Sequence, residues 1–243
     1  MIADLKNLWM EAFGDSAETV DKFFVTGYSP KRCNYLCRDG IPATALYWFD
    51  CFVENHKIAY IYGVATAKDH RGQGLASQLL ADTHQRLQEN GYAGAILVPG
   101  EPGLFALYQK LGYRPAAKIG EFSCLRGDTP AEITPIGPEE YAALRRAYLP
   151  NGGVVQEAEI LEYLQTYAAF YKGPDFLLSA TADGEILTAQ ELLGNTQAAP
   201  GVLQALGCSR GQFRTPGETR DFAMFLPFST DCPHPEYFGL ALD

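Results

Sequence analysis

The sequence predicts an α+β chain of two lobes, each built on a mixed, mostly antiparallel sheet flanked by helices. Three observations carry this reading. Runs of β-type residues at 33–37, 43–53 and 57–66 follow one another across short turns, as strands of an antiparallel meander do. Later apolar stretches have helical spacing and end at glycine. At 126–140, "RGDTPAEITPIGPEE" holds three prolines and two glycines, a composition that separates units. The boundary falls near Asp128, giving domains 1–128 and 129–243.

Taken in order, Leu5, Leu8, Trp9, Ala12 and Phe13 lie at helical spacing, and Gly14 ends that helix. Ser16 caps a second helix with Val20, Phe23 and Phe24 on its inner face. Three strands follow, "CNYLC", "ATALYWFDCFV" and "KIAYIYGVAT". The third is apolar on both alternations, as a strand buried on both faces is. Gly63 interrupts it and marks a bulge or a close backbone approach. After Gly74, Leu75, Leu79, Leu80 and Leu87 form an amphipathic helix with Gly91 as its stop. "YAGAILVP" reads as a buried strand, "PGLFALYQKLG" as a short helix, and "IGEFSCL" as the last strand of this half.

The second half repeats the plan faintly. "AEITPI" reads as a strand, and "PEEYAALRRAYL" and "EAEILEYLQTYAAFY" as two helices. "DFLLSATADGEILTAQELLG" reads as a hairpin about Asp183-Gly184, and "PGVLQALG" as a short helix. Strands at "GQFRT", "FAMFLPF" and "YFGLAL" complete it. The order of helix pair, hairpin, helix and strands recurs; the glycine-rich turn does not.

Composition narrows the function. With 243 residues, 47% hydrophobic and 20% charged, the chain has a globular composition. No apolar run approaches the roughly 20 residues of a membrane span, and the N-terminus does not read as a signal peptide. Six scattered cysteines form no pair of CxxC clusters, so no metal site is expected, and free thiols fit a cytoplasmic location. Residues 1–128 carry 13 basic and 14 acidic side chains, a net of −1; residues 129–243 carry 6 and 15, a net of −9. Such a half repels nucleic acid and anionic lipid; its acid excess serves either solubility or the attraction of a cationic substrate.

The stretch "KDHRGQGLASQLL" at 68–80 carries the chemistry. A helix start leaves N–H groups without internal partners, and its dipole attracts an anion. Gly72 and Gly74 remove side chains that would hold a phosphate away, and Arg71 adds charge and donors. Together they suit a pyrophosphate. A P-loop needs Lys after the glycines, and none stands here. A dinucleotide fingerprint needs a third glycine, where this chain has Ser77.

"YGVATAKDHRGQGLASQLL" resembles the acetyl-CoA motif of the GNAT superfamily of N-acetyltransferases. The family pattern Gln/Arg-x-x-Gly-x-Gly/Ala is filled by Arg71, Gly74 and Ala76, and "LFALYQKLGY" at 104–113 resembles a second family segment. The resemblance covers about residues 33–125. The second half is more weakly similar to a degenerate GNAT copy, as in tandem GNAT proteins. The resemblance implies the GNAT fold and transfer of an acetyl group from acetyl-CoA to a primary amine. It places Val64, Ala65 and Thr66 along the pantetheine arm and Arg71, Gly72, Gln73, Gly74, Leu75, Ala76 and Ser77 around the pyrophosphate. Tyr108 matches the tyrosine that hydrogen-bonds the leaving sulfur; without the motif it would read as a core aromatic. Tyr60 and Tyr62 read as packing residues and His70 as an exposed loop residue.

The chain departs from the family at three places. Lys68 stands where proline is common, and Glu101 where an asparagine contacts the cofactor. The strand 58–66 carries no carboxylate, so the strand-borne base is missing. Asp50, Glu54 and the terminal Asp243 are the alternatives; the resemblance implies Asp243 as the catalytic base, since some GNAT relatives use a terminal carboxylate. The chain also lacks the family's first strand, a gap that "AEITPI" or another strand of the second half would fill. The second half is expected to close the acceptor cleft or to form a homodimer surface. The rival reading is a catalytically inactive acyl-CoA-binding module or regulatory protein.

Overall fold

The computed structural model describes residues 1–242. Two helices open the chain: α1 (Ile2–Phe13), ended by Gly14 in the left-handed conformation, and α2 (Ala17–Thr26), capped where the Ser16 side chain accepts the Thr19 N–H. Then come β1 (Cys33–Arg38), β2 (Ile41–Val53) and β3 (His56–Thr66). β1 pairs antiparallel with β2. Two residues join β2 to β3, a link only an antiparallel pair can use. α3 (Leu75–Glu89) crosses over to β4 (Gly94–Leu97), which runs parallel to β3. α4 (Pro102–Lys110) and the short β5 (Arg114–Pro115) follow.

The rest of the chain holds β6 (Lys118–Leu125), β7 (Thr134–Ile136), α5 (Pro138–Tyr148), β8 (Val154–Gln156), α6 (Glu159–Leu164), β9 (Ala169–Lys172), β10 (Phe176–Asp183), β11 (Ile186–Gly194), α7 (Ala199–Ala205), β12 (Arg210–Asp221) and β13 (Met224–Pro227). One sheet has the order β1-β2-β3-β4-β13-β5, with β8 beside β2; the other has the order β6-β12-β11-β10-β9-β7.

The chain packs as two compact units. One comprises Met1–Cys51, Asn55–Arg114 and Met224–Cys232; the other comprises Phe52–Glu54, Pro115–Ala223 and Pro233–Asp243. The proline-rich run at 126–140 therefore lies inside the second unit and not at a seam. "IGEFSCL" is the reason: as β6 it pairs with β12 in the second sheet and does not close the first. β13 joins the first sheet instead, pairing antiparallel with β4 from Met224↔Leu97 to Pro227↔Gly94. A strand from late in the chain thus enters the first unit, but it lies beside β4 and not in the place of the missing first strand, and it is not "AEITPI". That segment contributes β7, which pairs with β9. β1 remains the edge of the first sheet.

Two further expectations fail. "EAEILEYLQTYAAFY" gives a helix only over Glu159–Leu164, because Ala169–Lys172 pair with β10 as β9. "YFGLAL" is not a strand. It makes one isolated bridge, Gly153 with Tyr237, yet Tyr237, Phe238, Leu240, Ala241 and Leu242 are buried.

In the first unit, Leu46, Ile61, Leu79, Leu80, Leu97, Tyr108 and Met224 belong to one core cluster, so β2, β3, α3, β4, α4 and β13 share it. The aromatic rings of Trp9, Phe23 and Tyr47 pack against one another in the same unit. Gly63 belongs to that packing. Its φ is 61°, and a Cβ there would lie 2.9 Å from the Trp9 ring, so no other residue fits without displacing the indole.

Candidate acyl-transfer site

β3 leads into the turn. The Ala67 N–H donates to Ala43 O, a 3₁₀ turn spans Lys68–His70, and α3 begins at Leu75. Gly72 and Gly74 have φ of 74° and 77°, and a Cβ on either would meet nothing within 4 Å. The glycines are there for the left-handed backbone, and the space beside them is open. Gly74 is the N-cap of α3 and supplies no side-chain cap; the helical ladder begins with Gln78 N–H donating to Gly74 O at 3.0 Å. The N–H groups of Leu75, Ala76 and Ser77 stand ahead of that ladder and are the donors a helix start offers an anion. Leu75 is buried and anchors the turn, while residues 71–74 are exposed. Arg71 donates Nε–H to Thr66 O at 3.1 Å, which holds its guanidinium over the end of β3. Gln73 donates to Asp69 O.

The second feature is a splay. β3 pairs with β4 only from Ile58↔Gly94 to Tyr60↔Ile96, whereas β3 runs on to Thr66. Residues 61–66 thus leave their β4-facing backbone groups outside that ladder. Thr44 Oγ1 donates to Ala65 O at 2.8 Å, and Thr66 O accepts from Arg71. Among the described residues, Val64 is the one of the three expected pantetheine contacts whose carbonyl no side chain holds.

Tyr108 lies on α4, 7% exposed, in the same core cluster as Ile61, and Val64 packs against that cluster. Burial pushes its phenol up to about 12. Its ring meets Tyr113 edge-on at 5.8 Å between centroids. The Tyr113 hydroxyl in turn makes a 2.8 Å hydrogen bond with His84 Nε2 on α3. Burial holds the His84 imidazole down at about 4, so it is neutral at pH 7. Sequence reading missed this pair. The one available signal was a histidine on the Leu80–Leu87 face of a helix, which by itself is unremarkable.

One candidate base already has partners. Asp50 accepts from Tyr92 Oη and pairs with Lys57 Nζ at 2.9 Å, so its carboxylate is occupied. Lys57 lies nine residues before Thr66, about 30 Å along an extended strand. Glu54 sits in the β2–β3 turn with φ 51°. Asp243 lies outside the described residues. Glu101 is the N-cap of α4 and makes no side-chain cap there. Tyr60 is buried and Tyr62 half-buried, in contact with Phe49, as packing residues should be; His70 is half-buried in the 3₁₀ turn.

Residues 2–116 match the sequence model of the acetyltransferase (GNAT) domain. Over those residues the chain is similar to a GNAT acetyltransferase domain. Its fold is similar to that of a GCN5-related N-acetyltransferase from Anabaena variabilis, with a TM-score of 0.71 at 16% identity over 92% of this chain and 69% of that one. A GCN5-related N-acetyltransferase from Kribbella flavida gives 0.68 at 18%, over 92% and 68%. A putative acetyltransferase from Pyrococcus horikoshii gives 0.65 at 15%, over 98% and 90%. No curated protein matches the chain. The GNAT fold, two mostly antiparallel sheets with flanking helices, is thus shown. Among the described residues no helix is long and apolar enough to cross a membrane, and no group of three or more His, Cys, Asp or Glu could hold a metal.

The second unit holds a different construction. Arg145 and Glu191, 1% and 0% exposed, form a bidentate pair at 2.6 and 2.9 Å. Glu191 also accepts from the hydroxyls of Tyr141 and Tyr237, each at 3.0 Å. The Gln156 amide donates to Leu240 O at 2.6 Å, and Arg214 Nη1 donates to Gly239 O at 3.0 Å. A Cβ on Gly239 would collide with Glu191 Oε1 and the Tyr237 hydroxyl. The network pins residues 237–240 to β11 and β12.

Proposed function

We propose that the protein is an N-acetyltransferase that moves the acetyl group of acetyl-CoA to a primary amine by direct attack. The observation that carries the reading is the uncapped start of α3 behind Gly72 and Gly74, beside the splayed end of β3. In this reading the amides of residues 72–77 and the Arg71 guanidinium grip the diphosphate. The free edge of β3 around Val64 pairs with the pantetheine arm and supports the oxyanion as the amine adds to the thioester carbon. Holding both reactants together supplies much of the rate. The C–S bond then breaks, and Tyr108 hydrogen-bonds the departing sulfur. With its phenol near 12, Tyr108 stays protonated at any working pH. Full proton transfer to a thiolate of pKa about 8.5 is uphill, so the hydrogen bond itself does the stabilising.

The attacking amine has a free pKa of about 10.4 and must first lose a proton. With Asp50 paired and β3 free of carboxylates, the Asp243 carboxylate takes that proton, or water relays it; deletion of Asp243 should then abolish turnover while acetyl-CoA still binds, and unchanged turnover would leave water as the route. The lack of a carboxylate on β3 also favours the rival reading, an acyl-CoA-binding module without catalysis. The acidic second half, where Glu218, Asp221 and Glu236 outnumber Lys118 and His234 around a cavity of about 510 Å³, supports a cationic acceptor; its KM should rise with salt, and a flat response would remove that idea.

The test is thiol release from acetyl-CoA across a panel of primary amines. Release with amide formation for at least one amine is the expected result, with Tyr108→Phe slowing it. Binding of acetyl-CoA with no release for any amine would select the rival.

A further inference from the structure

α4 ends in a motif that joins Tyr108 to Tyr113. The Tyr113 N–H donates to Tyr108 O at 3.1 Å, and the Gly112 N–H donates to Gln109 O at 3.0 Å, with Gly112 at φ 93°. This is a Schellman ending, in which the residue after the glycine bonds back five positions and the two side chains so related come into contact. Here those side chains are the paired rings of Tyr113 and Tyr108. Tyr113 is therefore tied to Tyr108 through backbone and ring together. At its other end, the Tyr113 hydroxyl is bonded to His84 at 2.8 Å, with both side chains buried. His84 lies on α3, nine positions past the first helical amides at Leu75, so the helix that opens at the glycine turn also fixes Tyr113.

We propose that His84 and Tyr113 are positioning residues that hold the Tyr108 phenol in one orientation toward the reacting sulfur. The inference rests on the acetyltransferase reading for its catalytic consequence but not for its structural content. Tyr108 has two rotatable side-chain bonds, and a ring with one fixed edge-on neighbour keeps fewer orientations. Because His84 and Tyr113 are buried, each is the partner the other needs, and removing either leaves a polar group unsatisfied. The proton of their hydrogen bond can sit on either atom without changing the restraint.

A double-mutant cycle tests this, with the fastest amine of the panel as acceptor. Tyr113→Phe should lower kcat about tenfold while the acetyl-CoA dissociation constant stays within about twofold. In a Tyr108→Phe background the same change should cost almost nothing, because there is no phenol left to aim. His84→Gln, which keeps a hydrogen-bonding group, should retain most of the wild-type kcat. Equal losses in both backgrounds would mean a merely structural role and would overturn the proposal, as would an unchanged kcat. If Tyr113→Phe does not fold, the pair Tyr113→Phe with His84→Leu removes both polar partners at once and carries the same cycle.

Ring-flip line shapes of labelled Tyr108 give a readout independent of turnover. Slow flipping in the wild type and fast flipping in Tyr113→Phe support the clamp, even if no amine releases thiol and the acetyltransferase reading fails. Identical flipping in both proteins overturns the clamp, even if the enzyme turns over.

Discussion

The chain builds the same crossover twice and gives only one of them a cradle. β3 and β4 run parallel across α3, pair over three residues and then part; β11 and β12 run parallel across α7, pair from Ile186↔Arg210 to Ala189↔Phe213 and then part. The backbone plan is shared, and the difference lies in what enters each helix and what occupies each splay. α3 is entered through Arg71, Gly72 and Gly74 with no side-chain cap. α7 is entered through a 3₁₀ turn in which the Asn195 side chain accepts the Gln197 N–H, and Pro200 in its first turn has no N–H to offer. Where β11 and β12 part, Glu191 and Arg214 hold the chain's own residues 237–240. On the proposed reading, anion binding belongs to the turn and not to the fold.

Four experiments press on this contrast. The largest effect should come from the second crossover. Glu191→Leu leaves Arg145 buried without its carboxylate and should cost about 3–5 kcal/mol in a denaturant melt; a loss under about 1 kcal/mol would mean that the network does not hold residues 237–240. Next is the acid sensitivity of the first unit. His84 has a folded pKa of about 4 against 6.5 for the free group, so the unfolded chain binds its proton first as pH falls. The stability this histidine permits is fully present above about pH 6.5 and is lost progressively down to about pH 4, by roughly 3 kcal/mol. In His84→Gln, melts over that range should lose this part of the acid sensitivity.

Smaller effects should separate binding from stability. Arg71→Ala removes an exposed side chain, so stability should stay within about 0.5 kcal/mol, while acetyl-CoA should bind about tenfold more weakly by titration calorimetry, roughly 1.4 kcal/mol. Asn195→Ala is the matching lesion at the other crossover. It should cost about 1 kcal/mol of stability and leave acetyl-CoA affinity unchanged; a weakened affinity would break the contrast.

Much of this was legible in the sequence, because it is local. Gly14, Gly91 and Gly112 end helices by adopting positive φ, Gly184 turns the β10–β11 hairpin, and the apolar alternations of 57–66 mark a strand buried on both faces. The glycine turn was readable for the same reason: its φ requirement and its charge lie within a few residues. What could not be read was pairing between distant segments. β6 and β13 are both short apolar runs whose patterns suit either sheet, and only the tertiary partner decides. Tyr167, Phe170 and Tyr171 continue a helical spacing past Leu164, yet backbone pairing with β10 overrides it. Residues 237–242 form an apolar run like a buried strand, but Glu191 and Arg214 bond Tyr237 and Gly239 where a ladder would be. The His84–Tyr113 clamp joins residues 29 apart, and no spacing rule connects them.

The central claim is that main-chain donors at the mouth of α3 grip the coenzyme, and amide chemical shifts test it at both crossovers at once. On titration with coenzyme A, the amides of residues 72–77 should shift while those of residues 196–199 and 201 stay in place. Shifts confined to residues 196–201, or tight binding that leaves residues 72–77 unmoved, would contradict the account.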